Sequence, residues 1–262
     1  MRIGITIGLG DTQLKINRAY VKYVAGAGFE PVLISPENDL EAMADICDGL
    51  LLPGGIDIDP MHYGEENVGS YHIDPEKDMF ERQALQMFGA MHEKPVFGIC
   101  RGFQLIIREF LQENPKFGKK VAFWQHVESH GLASSLDAPR TTPTHYVDGC
   151  RKVLYGDDGE DYPAEGFSMI PVNSMHHQAL IGPAPIAAHI VAEQDKTFQR
   201  LAWTSRGIPT KAKGVIIEAF RIRNWCGGKI EAVQWHPEEL KDYALIRHFF
   251  NQFAGADLVQ EA

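Results

Sequence analysis

The stretch of residues 95–104 constrains the fold of this chain more than any other. A short apolar run meets a cysteine flanked by glycines, and a helical pattern follows at once, so the stretch predicts a strand, a sharp turn and a helix. Gly98 and Gly102 remove the side chains that would collide in so tight a reversal. We therefore expect Cys100 at the apex of the turn, with a strained backbone and an exposed sulfur.

The position of this cysteine also favours reactivity. A thiol at the start of a helix lies near the positive end of the helix dipole, which favours the thiolate, the nucleophilic form of cysteine. The pattern is typical of a nucleophile elbow in which cysteine replaces serine. The alternative is a buried cysteine at a strand end, because a short glycine-cysteine-glycine pattern also occurs without a catalytic role.

A second motif favours the catalytic alternative. Residues 230–235 have the pattern of a strand that runs directly into His236 and Glu238, so a base and a carboxylate arrive together. His236 is predicted to take the proton of Cys100 and to return it later to a leaving amine. Glu238 is predicted to accept a hydrogen bond from the other ring nitrogen and to hold the tautomer. The predicted catalytic residues are thus Cys100, His236 and Glu238.

Together the two motifs resemble the class I glutamine amidotransferase superfamily. Residues 51–60, followed by 63–65, and residues 172–178 and 214–219 are similar to its branch of stand-alone gamma-glutamyl hydrolases, typified by gamma-glutamyl-gamma-aminobutyrate hydrolase. The motifs occur in the family's order and extend from about the first strand to the last helix. The resemblance implies a cysteine-dependent hydrolase of gamma-glutamyl amides that forms a thioester and needs no cofactor.

The resemblance also implies roles for residues around the elbow. It assigns the oxyanion hole to Gly55 and to the N–H of Arg101, since glycines after a strand expose their N–H groups where ligands collect in a parallel sheet. For the glycine pair, a plain strand-to-loop turn is the alternative. The residues expected to bind substrate are Gly54, Gln104, His176 and His177. As alternatives, the two histidines can be packing residues and the glutamine an ordinary helix residue.

The largest departure from the family lies in residues 105–120. This segment lacks the asparagine and the paired glycine that usually follow the elbow glutamine, and the helix is predicted to run longer instead. Because those groups border the active site in relatives, the departure leaves the substrate more open than the chemistry. The segment is also a candidate docking face if the protein is a glutaminase component that supplies ammonia to a partner synthetase.

Composition narrows the partners and the compartment. The net charge of −10 argues against nucleic-acid or anionic-membrane surfaces. Four cysteines are too few for a disulfide framework, and neither a signal peptide nor a membrane-spanning run is evident, so we expect a cytoplasmic protein. The expected ligand is a small gamma-glutamyl compound, with a homodimer or a synthetase partner left open.

The histidines of this chain do not form a recognisable metal-binding motif. His126, His130 and His145 invite a metal interpretation, but no acidic or cysteine ligand keeps a recognisable spacing with them. No metal and no cofactor are therefore expected. A non-catalytic binding protein on the same fold is a third interpretation of the chain, against which all three predicted catalytic residues are present.

The remaining patterns predict the fold. The chain opens as a strand-helix-strand unit, and residues 78–91 form an amphipathic helix with Glu81 and Arg82 outside. Residues 186–193, 198–203, 214–223 and 229–235 alternate as strands. We expect one α/β domain over residues 1–262, a flavodoxin-like three-layer fold with a mostly parallel central sheet and a β-rich C-terminal extension.

The first helix is predicted over residues 17–27. Its apolar positions, which we expect to face the core, are Ala19, Val21, Val24 and Ala25.

Overall fold

A large mixed sheet forms the centre of the protein. The computed structural model describes residues 1–9, 13–118, 121–127, 130, 140–156, 167–183, 198–204 and 214–254. The strands in these residues are β1 (Arg2–Thr6), β2 (Gly8–Leu9), β3 (Leu14–Lys15), β4 (Glu30–Ile34), β5 (Gly49–Leu52), β6 (Val96–Ile99), β7 (Ala122–Trp124), β8 (His145–Cys150), β9 (Phe167–Val172), β10 (Ala179–Gly182), β11 (Phe198–Thr204), β12 (Val215–Ile222) and β13 (Ile230–Val233).

Helices cover both faces of this sheet. The described α-helices are α1 (Arg18–Gly26), α2 (Leu40–Ile46), α3 (Pro75–Leu85), α4 (Arg101–Glu113), α5 (Pro115–Gly118), α6 (Arg151–Tyr155), α7 (Pro237–Leu240) and α8 (Tyr243–Asn251). None of them is long and apolar enough to cross a lipid bilayer. Short 3-10 turns lie at Pro60–Tyr63 and Cys226–Gly228.

One half of the sheet is parallel and the other half is antiparallel. Its order is β4-β1-β5-β6-β13-β12-β11-β8-β9, and the four pairings from β4 to β13 are parallel. The pairings from β13 to β9 are antiparallel, and β10 pairs antiparallel with both β12 and β7. The predicted parallel core and β-rich extension are confirmed, while the predicted strand at 186–193 lies outside the described residues.

Two apolar cores separate the sheet from its helices. Side chains of α2, α3 and α4 pack on one face, and side chains of α1, α6 and α8 pack on the other. Phe249 and Phe250 of α8 are fully buried, and burying a phenylalanine contributes about 1.5–3 kcal/mol. The three layers hold the carboxyl ends of β5, β6 and β13 side by side, which fixes the loops that follow them.

The buried face of α1 differs from the predicted one. Tyr20 and Tyr23 point inward, whereas Ala25 is exposed. Both hydroxyls have partners inside, because Tyr23 Oη donates to the Asp242 carbonyl at 2.8 Å and Tyr20 Oη accepts from the Gly54 N–H at 3.0 Å. A prediction based only on apolar residue types does not include tyrosines, although a tyrosine can be buried when its hydroxyl is hydrogen-bonded within the fold.

Helix α3 also departs from its prediction. It begins earlier than expected, because Asp74 caps its N-terminus by accepting from the Lys77 N–H at 3.1 Å, and it continues as a π-helical segment over Gln86–Met91. The placement of Glu81 on the outside is wrong. This carboxylate is fully buried because a distant cation, Arg101, reaches it.

Candidate active site

The turn between β6 and α4 has the strained backbone predicted for a nucleophile elbow, but the predicted exposure of the sulfur is wrong, because Cys100 is only 6% exposed. Cys100 has φ 51° and ψ −98°, a backbone state that costs an L-residue about 1–3 kcal/mol. A Cβ on Gly102 would lie 2.2 Å from the Leu52 carbonyl oxygen, and one on Gly98 would lie 2.9 Å from the Gly102 backbone, so only glycine fits at either position. The Cys100 N–H donates to the Val233 carbonyl at 2.8 Å, which ties the elbow to β13.

A histidine and a carboxylate meet the elbow at the end of β13. His236 Nδ1 lies 2.7 Å from Glu238 Oε1, and both side chains are buried. The ring also lies within hydrogen-bonding reach of the Cys100 side chain. Asn173 clamps the histidine backbone, because its Oδ1 accepts from the His236 N–H at 2.9 Å and its Nδ2 donates to the His236 carbonyl at 3.1 Å. The structure thus brings together the three predicted catalytic side chains.

The electrostatics of this contact favour a charged histidine. Burial disfavours a cation at His236, but the Glu238 carboxylate and Cys100 together raise the pKa of the imidazole to about 10. The histidine is therefore an imidazolium at neutral pH. A cation beside a thiol stabilises the thiolate, and the same imidazolium holds a proton that a leaving amine can take.

The other three cysteines are electrostatically different. Burial raises the pKa of Cys47 to about 11 and that of Cys226 to about 12, and it also raises the pKa of Cys150. These side chains are accordingly neutral thiols at neutral pH, and the neutral form is a poor nucleophile.

Brief treatment with iodoacetamide at neutral pH is expected to modify Cys100 first. Alkylation requires the thiolate, and Cys100 lies beside the His236 imidazolium, whereas burial keeps the other three thiols protonated. Peptide mapping over a time course measures the four rates. Equal early labelling of Cys47 or Cys226 would contradict the assignment of the nucleophile.

Gly54 lies directly against Cys100 and His236. A Cβ at this position would lie 2.5 Å from Tyr20 Oη, 3.0 Å from His236 Cε1 and 3.3 Å from Cys100 Cβ. The Gly54 N–H donates to the tyrosine hydroxyl, whereas the N–H of Gly55 has no hydrogen-bond acceptor among the described residues. This leaves the second glycine N–H available to a ligand beside the elbow.

Arg101 contributes its backbone to the elbow and sends its side chain elsewhere. The guanidinium is buried and pairs with Asp78 and Glu81 of α3, and Thr6 Oγ1 donates to the same Glu81 carboxylate at 2.9 Å. The Arg101 N–H stands at the first position of α4, directly after Cys100. The ion pairs thereby attach the first turn of α4 to α3.

A cavity of about 570 Å³ opens beside the glycine pair. Tyr20, Asn17 and Lys77 line it together with Gly54 and Gly55. Burial and the nearby Arg101 guanidinium lower the pKa of Lys77 to about 8, so its ammonium is still mostly charged at neutral pH. The cavity therefore combines an available N–H group with a cation, a combination that suits a carboxylate-bearing ligand.

The remaining predicted site residues occupy three different places. Gln104 is buried one turn along α4, where its N–H donates to the Cys100 carbonyl at 3.1 Å. His177 Nε2 lies 2.8 Å from Asp57 Oδ2, and this hydrogen bond raises the pKa of the imidazole. His176 is buried separately, with its Nε2 3.6 Å from Glu218 Oε1.

Sequence reasoning missed two residues of this region, Tyr20 and Lys77. Neither belongs to a motif. Tyr20 lies in the first turn of α1 and Lys77 in the first turn of α3, so only the packing of these helices against the glycine loop brings them to the site. A tyrosine among apolar helix positions is the one signal that the sequence offers.

Comparison with known proteins gives these residues a family context. The family model of Peptidase C26 matches residues 8–238. A Mycobacterium tuberculosis protein that is provisionally named a glutamine amidotransferase is 36% identical to this chain over 247 residues. The match covers 90% of this chain and 67% of that protein. A Rickettsia prowazekii protein that is provisionally named glutamine amidotransferase-like is 32% identical to this chain over 270 residues. The match covers 92% of this chain and 88% of that protein.

Two solved structures share the fold. A Thermoplasma acidophilum protein, provisionally named as part of a GMP synthase, has a TM-score of 0.58 and 16% identity, covering 100% of this chain and 98% of the other. The CTPS glutaminase domain of Trypanosoma brucei, solved with bound acivicin, has a TM-score of 0.54 and 14% identity, covering 100% and 95%. At these identities the likeness concerns the fold alone, and it confirms the predicted flavodoxin-like α/β architecture.

Proposed function

The chain belongs to the Peptidase C26 family, and on that premise we propose that it hydrolyses gamma-glutamyl amides with Cys100 as nucleophile. One observation carries the proposal. A cysteine on a strained, glycine-flanked elbow contacts a histidine whose Nδ1 is held by a buried carboxylate. This arrangement combines a nucleophile, a proton carrier and an orienting group, which is what acyl transfer from an amide requires.

In the first half of the reaction, the Cys100 thiolate attacks the side-chain carbonyl carbon of the gamma-glutamyl group. A carbon-sulfur bond forms, and the carbonyl π electrons move to oxygen. The N–H groups of Gly55 and Arg101 are proposed to donate to that oxyanion. His236 then gives its proton to the amide nitrogen, the carbon-nitrogen bond breaks, and the amine leaves a thioester on the enzyme.

In the second half, water replaces the amine. His236, now neutral, takes a proton from the water as its oxygen attacks the thioester carbonyl. The carbon-sulfur bond breaks, the products are glutamate and the free amine, and the thiolate is restored beside the imidazolium. Glu238 stabilises the imidazolium through the 2.7 Å contact to Nδ1 in both halves and makes no bond to substrate.

The cavity beside the elbow suits the rest of a gamma-glutamyl group. Lys77 is the cation available to its α-carboxylate, and Gly54 allows the substrate to approach closely because no side chain fits there. Gln104 and His177 remain proposed binding residues, the latter oriented by Asp57. No cofactor takes part in any of these steps.

The alternative is a glutaminase component that supplies ammonia to a partner synthetase. It draws on the names of the two fold neighbours, one from a GMP synthase and one a CTPS glutaminase domain. The suggested docking segment offers little surface for such a partner in its first part, since residues 105–110 are all buried, and among its described residues it is 111–118 that reach the surface. We therefore prefer the hydrolase to the ammonia-supplying component.

A glutamine analogue with a diazoketone in place of the amide tests the proposed function. We expect it to label one site per chain, Cys100, and we expect an excess of a gamma-glutamyl amide to slow the labelling. Intact-mass measurement and peptide mapping report both results. The Cys226→Ala variant should label like the wild type, whereas labelling outside Cys100, or no protection by the amide, would contradict gamma-glutamyl recognition at the elbow.

A further inference from the structure

A second group of chemically active side chains lies apart from the elbow. We call His130, His145, His176 and Glu218 the histidine-glutamate cluster. All four side chains are at least nine-tenths buried. The Nε2 atoms of the three histidines lie 3.5, 3.7 and 3.6 Å, respectively, from Oε1 of the glutamate, so the ring nitrogens converge on one carboxylate oxygen.

These contacts are longer than hydrogen bonds, whose usual range is about 2.7–3.2 Å. Within the described residues, the Nε2 atoms of His145 and His176 and both carboxylate oxygens of Glu218 have no hydrogen-bond partner. Leaving a buried polar group unsatisfied costs about 1–3 kcal/mol. A ligand shared by these four atoms would remove the free-energy cost of leaving each of them buried without a hydrogen bond.

The spacing fits a metal ion. Ligand atoms bound at about 2.0–2.1 Å around a tetrahedral zinc lie about 3.4 Å apart, close to the separations between the imidazoles and the carboxylate. The ligand atoms of His130, His145 and Glu218 all lie within 4.8 Å of one another, whereas His176 is outside this group and approaches it at Glu218 Oε1, 3.6 Å away. Imidazole nitrogen and carboxylate oxygen are both ordinary zinc ligands.

The surrounding hydrogen bonds orient the rings as metal sites require. His176 Nδ1 lies 2.9 Å from the Gln178 carbonyl, so it acts as the donor and leaves Nε2 as the lone-pair nitrogen. The His130 carbonyl accepts from Ser174 Oγ at 2.5 Å and from the His176 N–H at 3.2 Å, which ties two of the cluster's segments together. Such outer hydrogen bonds fix ring orientation around bound metals.

We propose that the histidine-glutamate cluster binds one divalent transition-metal ion of the zinc class as a structural site. The ion joins β8, β12 and the segment that follows β9, on which His145, Glu218 and His176 respectively lie. That last segment begins with Asn173, the residue that clamps the backbone of His236. The proposed ion thereby secures the loop behind the catalytic histidine without touching the substrate.

The test uses the full chain, stripped with a chelator and then titrated with Co²⁺ and Zn²⁺. We expect one equivalent of Co²⁺ with the intense visible absorption of tetrahedral coordination, displacement by Zn²⁺, and a higher melting temperature with either ion. Wild-type protein that binds neither ion and melts at the same temperature with and without them would overturn the proposal. Activity need not be measured.

Variants locate the site. Glu218→Gln and His145→Asn are each expected to weaken Zn²⁺ affinity by about 100-fold or more, since even the loss of a residue that only supports a ligand costs 10–100-fold. His92→Asn is the matched control, because His92 Nδ1 lies 3.7 Å from a carboxylate at the surface. Cys100→Ala should bind Zn²⁺ as the wild type does. Unchanged affinity in both cluster variants, or equal loss in either control, would place the ion elsewhere and refute the site.

Discussion

Replacing Cys100 with alanine is expected to lower kcat for gamma-glutamyl amides on the order of 10⁴-fold or more, because no other group in the site forms the acyl bond. The variant should keep its fold, since alanine occupies the same strained backbone position and removes only one sulfur. Steady-state kinetics and the melting temperature measure the two effects separately.

Cys226→Ala is the matched control for this variant. Cys226 is also a buried cysteine with positive φ, 48°, but its pKa is raised to about 12 and it donates to the Leu85 carbonyl at 3.4 Å. We expect normal turnover from this control. Substantial turnover by Cys100→Ala, or an equal loss in Cys226→Ala, would contradict a nucleophilic role for Cys100.

Arg101→Met is expected to lower the free energy of unfolding by about 3–5 kcal/mol, the usual cost of breaking a buried ion pair by removing one partner. The guanidinium is 1% exposed and pairs with Asp78 and Glu81, neither of which reaches solvent. Without Arg101, the two carboxylates stay buried, and Lys77, 3.9 Å from Glu81, is left to compensate them. Urea denaturation at neutral pH measures the loss.

Arg140→Met controls for the loss of an arginine as such. Arg140 pairs with Glu239 at 2.9 Å but is 49% exposed, and exposed pairs contribute about 0–1 kcal/mol. Adding Glu81→Gln to the Arg101→Met variant should recover part of the stability, since it removes one of the uncompensated charges. Similar losses in the two arginine variants, or no recovery, would show that the buried ion pairs do not anchor the elbow.

The elbow itself could be predicted from sequence because its cause is local. Gly98, Cys100 and Gly102 are close in the chain, and the clash that a Cβ would cause is a property of the tight turn they form. The pairing of β13 with β6, which brings His236 to this elbow, joins strands far apart in the chain and was not predicted. Fold class followed from the same strand and helix periodicities.

Features that depend on distant partners could not be predicted. Glu81 has the pattern of a solvent-facing helix residue, and only the arrival of Arg101, 20 positions later, makes its burial tolerable. Tyr20 and Lys77 reach the site through helix packing. Local sequence patterns carry no information on either event, since burial of a charge depends on where its counterion lies.

The histidine-glutamate cluster also could not be predicted from the sequence. Metal spacing rules search for ligands that are close in sequence, and they found no acid near His130 or His145. The acid is Glu218 on β12, and it approaches His145 on β8 across the intervening strand β11 in the antiparallel half of the sheet. Sheet order, not sequence spacing, assembles the cluster.

The most direct test of the proposed function is the comparison of kcat/KM for glutamine and for a panel of gamma-glutamyl amines, using the isolated chain with and without cell extract of the source organism. An autonomous hydrolase should cleave at least one gamma-glutamyl amine without extract, and glutamine should be the poorer substrate. If every amine is inert and glutamine is hydrolysed only when extract is present, the chain is an ammonia-supplying component of a synthetase and the hydrolase proposal is wrong.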